Sequence, residues 1–511
     1  MSNTPTRWHR TALFLILALG AVLRFTALGQ GIPFALGIDE PEIMERAVRM
    51  MNTGDLHPHF FDYPGLYIYI QFAVACVRFI VGSISGLWAN LNQAPPAEFY
   101  LWARAVTAVF GTATIGLVYL LGRRISPTTG LVAAAMFAVQ SLHVRESHFV
   151  LTDVPMTFFI ALTAVLTLRA CERRRFRDCV LVGLAVGAAA ATKYNGGVAI
   201  FLPALALVLS PGTWVWRLRA MLLTSGIAAL TFLACAPYTV IALPEFLNAF
   251  AYLAHMYAEG APRPEPAWMT YLKHLRNNFS IPGLIMAAGG AVVAVRALVA
   301  TPRTPVATAW ALAASFTLVY FYMIAGQRLV WGRYLLPLLP FLCVLAAGGI
   351  AWIADQVARR WSSKMAVPLT VAVLLLVVSY QPATNALAFL RTASKVSTNQ
   401  QTYEWVLANV PAGSRIASET REVLLPVNRY TIDYPRRLIA HDVEHYQRTG
   451  VRYLLASSLS FKAAFYDVPP EPAALAAYTE LFRRTEHLIT FNPSPDHPGS
   501  EFRVYRVPAG Q

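Results

Sequence analysis

Apolar residues in this chain come in long unbroken runs, not in the alternation of a strand or the single stripe of a surface helix. Runs at 11–29, 102–122, 130–144, 154–170, 179–192, 197–210, 219–242, 281–299, 306–325, 333–354 and 366–381 are separated by short polar or basic stretches. A bilayer crossing takes ~20 predominantly apolar residues, so each run reaches, or nearly reaches, the length of a membrane-spanning helix. One more run, 66–88, is ambiguous. After residue 390 the pattern changes. Polar and charged residues interleave with apolar ones, and the order reads helix (399–409), turn (Pro411-Ala412-Gly413), strand (415–418), helix (442–449), strand (451–456), helix (471–483) and strand (502–507). The chain is thus read as a membrane domain (1–390) followed by a small α/β domain (391–511).

Basic residues assign the sides. Clusters lie at Arg7/Arg10, Arg123/Arg124, Arg169 to Arg177, Arg217/Arg219, Arg296/Arg303 and Arg359/Arg360/Lys364, and Lys and Arg are enriched in cytoplasmic loops close to the span ends. If 66–88 crosses, Arg123/Arg124 and the cluster around Arg173 fall outside. If it lies in or near the outer interface, within a first outer loop spanning 31–100, all six clusters fall inside. Eleven crossings follow, with the N-terminus cytoplasmic and the C-terminal domain extracytoplasmic, in a multi-pass protein of the cell (inner) membrane. The start resembles a signal peptide, but Arg24 follows the apolar run and no clear small-x-small cleavage site does, so it is read as a retained first span.

Composition agrees. Of 511 residues, 56% are hydrophobic and 14% charged, against about 25% charged in soluble proteins, which excludes a purely soluble enzyme. A net charge of +15 would in a soluble protein raise nucleic acid as a partner; here the excess is largely the topological signal, and no nucleic acid is needed to explain it. Five cysteines show no zinc or disulfide spacing. The first outer loop runs against the overall sign, because Asp39, Glu40, Glu42, Glu45, Asp55 and Asp62 outnumber Arg46 and Arg49.

Three stretches carry candidate chemistry. In Gly37-Ile38-Asp39-Glu40-Pro41-Glu42 the proline suits a first helical turn, and Ile43, Ala47, Met50 and Met51 then recur at helical spacing, with Glu42–Arg46 and Glu45–Arg49 pairs on the wet face. Asp39 and Glu40 read either as helix caps or as acid/base groups. In Ser147 to Pro155, Asp153 stands at the mouth of a span on the same outer face, and two carboxylates meeting there would make an acid/base or metal site. In Thr192-Lys193-Tyr194-Asn195-Gly196-Gly197, Lys193 either snorkels to the interface or serves as a cation for a lipid-linked phosphate. Arg333-Tyr334 supplies a second cation on that face and Arg104 a weaker third. His255, Tyr257 and Arg263 lie in a loop at 243–280, made extended by Pro262, Pro264 and Pro266, and suit a substrate-contacting loop or a solvated one. His57-Pro58-His59 lacks a matching carboxylate pattern and reads as a loop feature, and Phe60, Phe61, Tyr63, Tyr67 and Tyr69 read as an interfacial belt.

Taken in order, these pieces resemble the C-type (GT-C) glycosyltransferases, and in particular the superfamily of protein O-mannosyltransferases and bacterial aminoarabinose transferases. The resemblance rests on the Asp39-Glu40 pair opening the first outer loop, Thr53-Gly54-Asp55, Tyr63-Pro64-Gly65-Leu66, Arg104 before Leu121-Gly122-Arg123-Arg124, Thr152-Asp153-Val154-Pro155, Thr192-Lys193 and Arg333-Tyr334-Leu335-Leu336-Pro337. It implies a polyprenyl-phosphate-linked sugar as donor, a lipid, protein or polysaccharide acceptor, and Asp39 as catalytic base with Glu40 and Asp153 as further acidic groups. Lys193, Arg333, Tyr334 and Arg104 would then meet the donor phosphate. Tyr63-Pro64 stands where relatives often have Lys-Pro or His-Pro, and Glu42 where aminoarabinose transferases are basic, which sets that sugar apart. No metal ligands are assigned and no cofactor is certain; a divalent metal stays open, since some C-type enzymes use one and others do not. The rival from another class is a secondary transporter or lipid flippase, but the two related halves that such proteins usually show are not found.

Overall fold

The computed structural model describes residues 7–34, 37, 39–95, 97–259, 265–361, 363, 365–466 and 471–509. It divides into two compact units, one of Met1–Leu28 and Asp39–Phe389, the other of Gly29–Ile38 and Leu390–Gln511.

The first unit is helical. Its helices are α1 (Arg7–Phe25), α2 (Glu40–Thr53), α3 (Gly65–Ile84), α4 (Ala97–Gly122), α5 (Pro127–Ala138), α6 (Ser141–Glu146), α7 (Asp153–Arg173), α8 (Phe176–Thr192), α9 (Phe201–Leu209), α10 (Trp214–Cys235), α11 (Tyr238–Ile241), α12 (Leu243–Glu259), α13 (Ala267–Phe279), α14 (Ile281–Ala300), α15 (Pro305–Ala325), α16 (Leu339–Arg360) and α17 (Ala366–Ala393). Among the described residues nine helical stretches are long and apolar enough to cross a membrane. This is a multi-pass membrane protein, but the count of eleven is not confirmed. Eight of the eleven expected crossings are among the nine. The other three correspond to shorter helices: α5 of 12 residues, α8 of 17, and a 3-10 turn at Tyr194–Ile200 leading into α9 of nine.

The early end of α5 has a physical cause. The Arg24 guanidinium donates to the carbonyls of Ala138 (3.0 Å) and Phe137 (3.4 Å), taking up the acceptors a helix end leaves over, and the chain restarts as α6 after Gln140. Tight packing elsewhere uses small residues. A Cβ on Gly183 or Gly187 of α8 would stand 2.7 Å and 2.5 Å from α10 carbonyl oxygens of Thr224 and Ala228, so the two backbones approach closely only because these positions are glycine.

The ambiguous run forms α3, whose 20 residues qualify by length and composition. It lies antiparallel to α4 over a limited stretch: Tyr67 meets Thr107 (2.5 Å), Gln71 donates to the Ala103 carbonyl (3.3 Å), and Arg78 pairs with Glu98 (2.7 Å). Thr107 is 15 residues before Gly122, or about 22 Å along the helix at 1.5 Å per residue. These polar contacts therefore all fall in the N-terminal half of α4.

The second unit is an α/β domain with strands β1 (Arg415–Ser418), β2 (Thr431–Asp433), β3 (Tyr453–Ser457), β4 (Glu486–Phe491) and β5 (Phe502–Arg506), in the order β2-β1-β3-β5-β4. β2, β1 and β3 are parallel; β3, β5 and β4 are antiparallel. Its helices are α18 (Thr398–Asn409), α19 (Val443–Arg448), α20 (Ser458–Phe465) and α21 (Pro472–Arg483). Alternate strand residues face opposite sides. Ala417, Leu454, Ala456 and Tyr505 pack with Tyr446, Phe461 and Tyr478, while Ile416, Leu455, Phe502 and Val504 pack with Val406, Val423 and Tyr430. The expected helices and strands are present within a residue or two. β2, β4 and α20 are additional. Gly29–Ile38 joins this unit through Phe34, whose carbonyl accepts from the Leu424 amide (2.9 Å) and whose ring meets Tyr403 edge-on.

Candidate active site

α2 opens as its sequence predicts, with a proline in the first turn and Ile43, Ala47 and Met50 buried at i, i+4 and i+7. Arg46 pairs with Glu42 (2.9 Å), whereas Arg49 donates to the His57 carbonyl (2.5 Å) instead of a carboxylate. Asp39 occupies the N-cap position, yet its side chain makes no capping hydrogen bond. Both contacts of its carboxylate fall on Oδ2, from Arg333 Nη2 (2.5 Å) and the Tyr63 hydroxyl (3.0 Å). Oδ1 carries no hydrogen bond among the described residues, and the group keeps 17% of its surface.

Glu40 behaves differently. It is fully buried and accepts two bonds from Arg104, Nε to Oε1 (2.8 Å) and Nη2 to Oε2 (2.7 Å), and a third from the Val150 amide (2.8 Å). Arg104, also fully buried, spends Nη1 on the Leu28 carbonyl (3.0 Å). Arg104 was expected at a donor phosphate and Glu40 at the reacting groups. In the structure the two are buried and paired bidentately with each other, a clamp that ties α2 to α4 and to the loop before α7.

Asp153 is the first residue of α7, and Lys193 follows α8 in extended conformation (φ −155°) before the 3-10 turn. Lys193 Nζ lies 2.7 Å from Asp153 Oδ1 and 4.6 Å from the centre of the Tyr334 ring, and both charged groups are almost wholly buried. Arg333, in the 3-10 turn Gly332–Leu338, reaches Asp153 Oδ2 with Nε at 3.7 Å while its Nη2 holds Asp39. Asp39, Asp153, Lys193 and Arg333 thus form one cluster of two anions and two cations, drawn from four places in the chain. The Tyr334 hydroxyl meets that of Tyr257 at 2.9 Å, so Tyr257 closes one side.

A cavity of about 240 Å³ opens beside the cluster, lined by Asp62, Lys193, Tyr194, Asn195, Tyr257 and Gln327 among others. Burial, helped by the nearby Glu42 charge, pushes the Asp62 carboxyl above its ordinary range. Of the substrate-loop candidates Tyr257 is at the site, His255 is exposed on α12, and Arg263 lies outside the described residues. The 243–280 stretch, expected to be extended, is helical at both ends, as α12 and α13. The sequence reading missed the role of Tyr63, placed in the interfacial belt. Tyr63-Pro64 carried the signal, since Pro64 starts α3 and fixes the side chain just before it. Asn195 and Gln327 had no signal beyond adjacency to Lys193 and to the Arg333 turn.

Comparisons with known proteins bear on this arrangement. The family model described as dolichyl-phosphate-mannose-protein mannosyltransferase matches residues 100–241, less than half of the chain. No curated protein sequence matches. Among solved structures, the archaeal oligosaccharyltransferase AglB from Archaeoglobus fulgidus, in complex with an inhibitory peptide and a dolichol-phosphate, aligns at TM-score 0.62 with 11% identity, over 97% of this chain and 74% of that one. ArnT from Cupriavidus metallidurans bound to undecaprenyl phosphate aligns at TM-score 0.59 with 16% identity, over 99% and 100% of the two chains. With many apolar helices, a charged cluster where the expected motifs converge, and this likeness over nearly its whole length, the chain has the C-type glycosyltransferase fold.

Proposed function

We propose that the protein is an integral-membrane glycosyltransferase that moves a sugar from a polyprenyl-phosphate donor to an acceptor hydroxyl at the outer face of the membrane. The observation that carries this is Asp39 Oδ1, without a hydrogen bond among the described residues, beside two cations held by a second carboxylate. In a single displacement with inversion, the acceptor oxygen attacks the anomeric carbon and its proton passes to Asp39. The bond from that carbon to the phosphate oxygen breaks, and the polyprenyl phosphate departs with both electrons. A positioned base typically contributes ~10²–10⁴-fold to such a step. Lys193 and Arg333 stabilise the charge that develops on the phosphate, in a partly buried site where such charges act more strongly than in water. The two aligned structures hold dolichol-phosphate and undecaprenyl phosphate, the class of lipid phosphate that would leave in this reaction, which supports a lipid-linked donor. The acceptor is a lipid, protein or polysaccharide hydroxyl.

We place this site on the extracytoplasmic side of the inner membrane, with the N-terminus in the cytoplasm. The Lys and Arg distribution supports this. Purified protein given a radiolabelled polyprenyl-phosphate sugar tests the reading. Transfer of label to an acceptor, with release of the polyprenyl phosphate, is expected. Movement of intact donor between leaflets of a vesicle without any cleavage would assign it to the transporter class.

A further inference from the structure

Outside the charged cluster, His57, His59 and Glu245 come together from the first loop and the start of α12. Their donor atoms all lie within 4.8 Å of one another, and His57 Nε2 is 3.9 Å from Glu245 Oε2. We propose that these three residues form a binding site for a divalent transition-metal ion of the zinc class, which ties the 55–64 segment to α12.

Four observations support this. His57 is 8% exposed, yet its Nε2 is buried with no hydrogen-bond partner among the described residues. A buried polar atom left over in this way is a position that a bound ion would satisfy. Second, the ring is already held in place: it stacks on Tyr238 (4.3 Å, 16°), and its backbone is fixed by the bond from its amide to Asp55 Oδ1 (2.9 Å) and by Arg49 on its carbonyl. Third, the His59 ring bonds Asp55 Oδ2 at 2.9 Å, the carboxylate–imidazole pairing that orients metal-ligating histidines. Finally, two imidazoles and one carboxylate suit a borderline cation such as Zn²⁺ better than the all-oxygen sets of Ca²⁺ or Mg²⁺. Bonds of about 2.0–2.2 Å in tetrahedral geometry put donors roughly 3.4 Å apart, so the donors need to draw in by about 1.4 Å at most. Glu245, 59% exposed, is free to make that movement.

The two segments so joined both line the cavity, through Asp62 on one and Phe250 and Tyr257 on the other. The metal would hold two of its walls together without touching the reacting groups. Sequence spacing could not show the site, because the carboxylate lies far along the chain from the histidines.

The test is titration of chelator-treated full-length protein with Zn²⁺ and, separately, Co²⁺, whose visible absorption reports its ligands. One equivalent per chain is expected, with the strong Co²⁺ bands of a four-coordinate nitrogen/oxygen site. His57→Ala, His59→Ala and Glu245→Ala should each weaken binding at least ~10-fold, and Asp55→Asn by ~10–100-fold. His59 and Glu245 are exposed, so their variants should keep the metal-free unfolding temperature of the wild type even if His57→Ala does not. The stacked pair His441 and His445 in the α/β unit serves as control, and its replacement by alanine should leave binding unchanged. The proposal is overturned if the wild type takes up no metal, if the His59 and Glu245 variants bind as tightly as wild type, or if the control variant is the one that loses the metal. None of these outcomes depends on glycosyl transfer.

Discussion

Arg333 Nη2 stands 2.5 Å from Asp39 Oδ2, joining residues 294 positions apart. The same guanidinium reaches Asp153 through Nε, so one side chain holds the proposed base and the second carboxylate in register. Arg333→Met removes both contacts along with a phosphate-binding charge. Hydrogen bonds to charged groups contribute about 1.5–3 kcal/mol, so kcat/KM for the donor should fall ~10–150-fold. Arg333→Lys keeps the charge as a single point and should recover only part of the loss. Initial rates across donor concentrations check this; wild-type activity in both variants would leave Arg333 without a role.

Lys193 and Asp153 are both almost fully buried. Removing one partner of such a pair leaves an uncompensated charge, at a cost of ~3–5 kcal/mol. Lys193→Met should therefore lower the unfolding temperature sharply, and Lys193→Met with Asp153→Asn should restore much of it. Activity should stay low in both, since the double variant still lacks the phosphate cation. Thermal unfolding in detergent, set beside activity, separates the two effects.

The Glu40–Arg104 clamp predicts a similar asymmetry without a phosphate role. Glu40→Ala strands a guanidinium that has no exposed surface and should cost ~3–5 kcal/mol. Replacing both residues, as Glu40→Leu with Arg104→Met, should return stability. Donor affinity should change little, while kcat should drop because the start of α2, which carries Asp39, loses its anchor. A donor-affinity loss in the double variant, measured by equilibrium binding, would return Arg104 to the phosphate site.

In the α/β unit, burial raises the Glu422 carboxyl above its ordinary value despite hydrogen bonds from the Ser457 and Ser500 hydroxyls. A raised folded-state value means that the fold binds the proton more tightly than the unfolded chain. The resulting stability is fully present below the unfolded value of ~4.3 and is lost as pH rises through the folded one. Glu422→Gln, whose amide suits the rotatable serine hydroxyls, should be more stable than wild type at neutral pH, by an amount that shrinks as pH falls towards 4.3. Unfolding temperatures of both proteins across that range decide it.

Much of this was legible in the chain itself. Apolar runs located most helices, because bilayer thickness sets their length. The order Asp39, Asp153, Lys193, Arg333 pointed to one site, because charges that topology does not explain are costly in a membrane. Partners were not legible. Nothing near Glu40 or Arg104 in the sequence indicates that they bond each other, since that depends on α2 meeting α4. The end of α5 at Ala138 depends on Arg24, more than a hundred residues earlier. β2, β4 and α20 escaped notice because β2 has three residues, β4 is an edge strand without clear alternation, and α20 follows β3 with no intervening turn.

The central claim, that Asp39 Oδ1 takes the proton of the acceptor, is tested most directly by single-turnover transfer from a radiolabelled polyprenyl-phosphate sugar in the wild type and in Asp39→Asn, with donor affinity measured in parallel. Asparagine keeps the shape of the side chain but cannot take the proton. The predicted result is a transfer rate lowered ~10²–10⁴-fold, with donor affinity and unfolding temperature near those of the wild type. Transfer at the wild-type rate by a folded Asp39→Asn protein would contradict it.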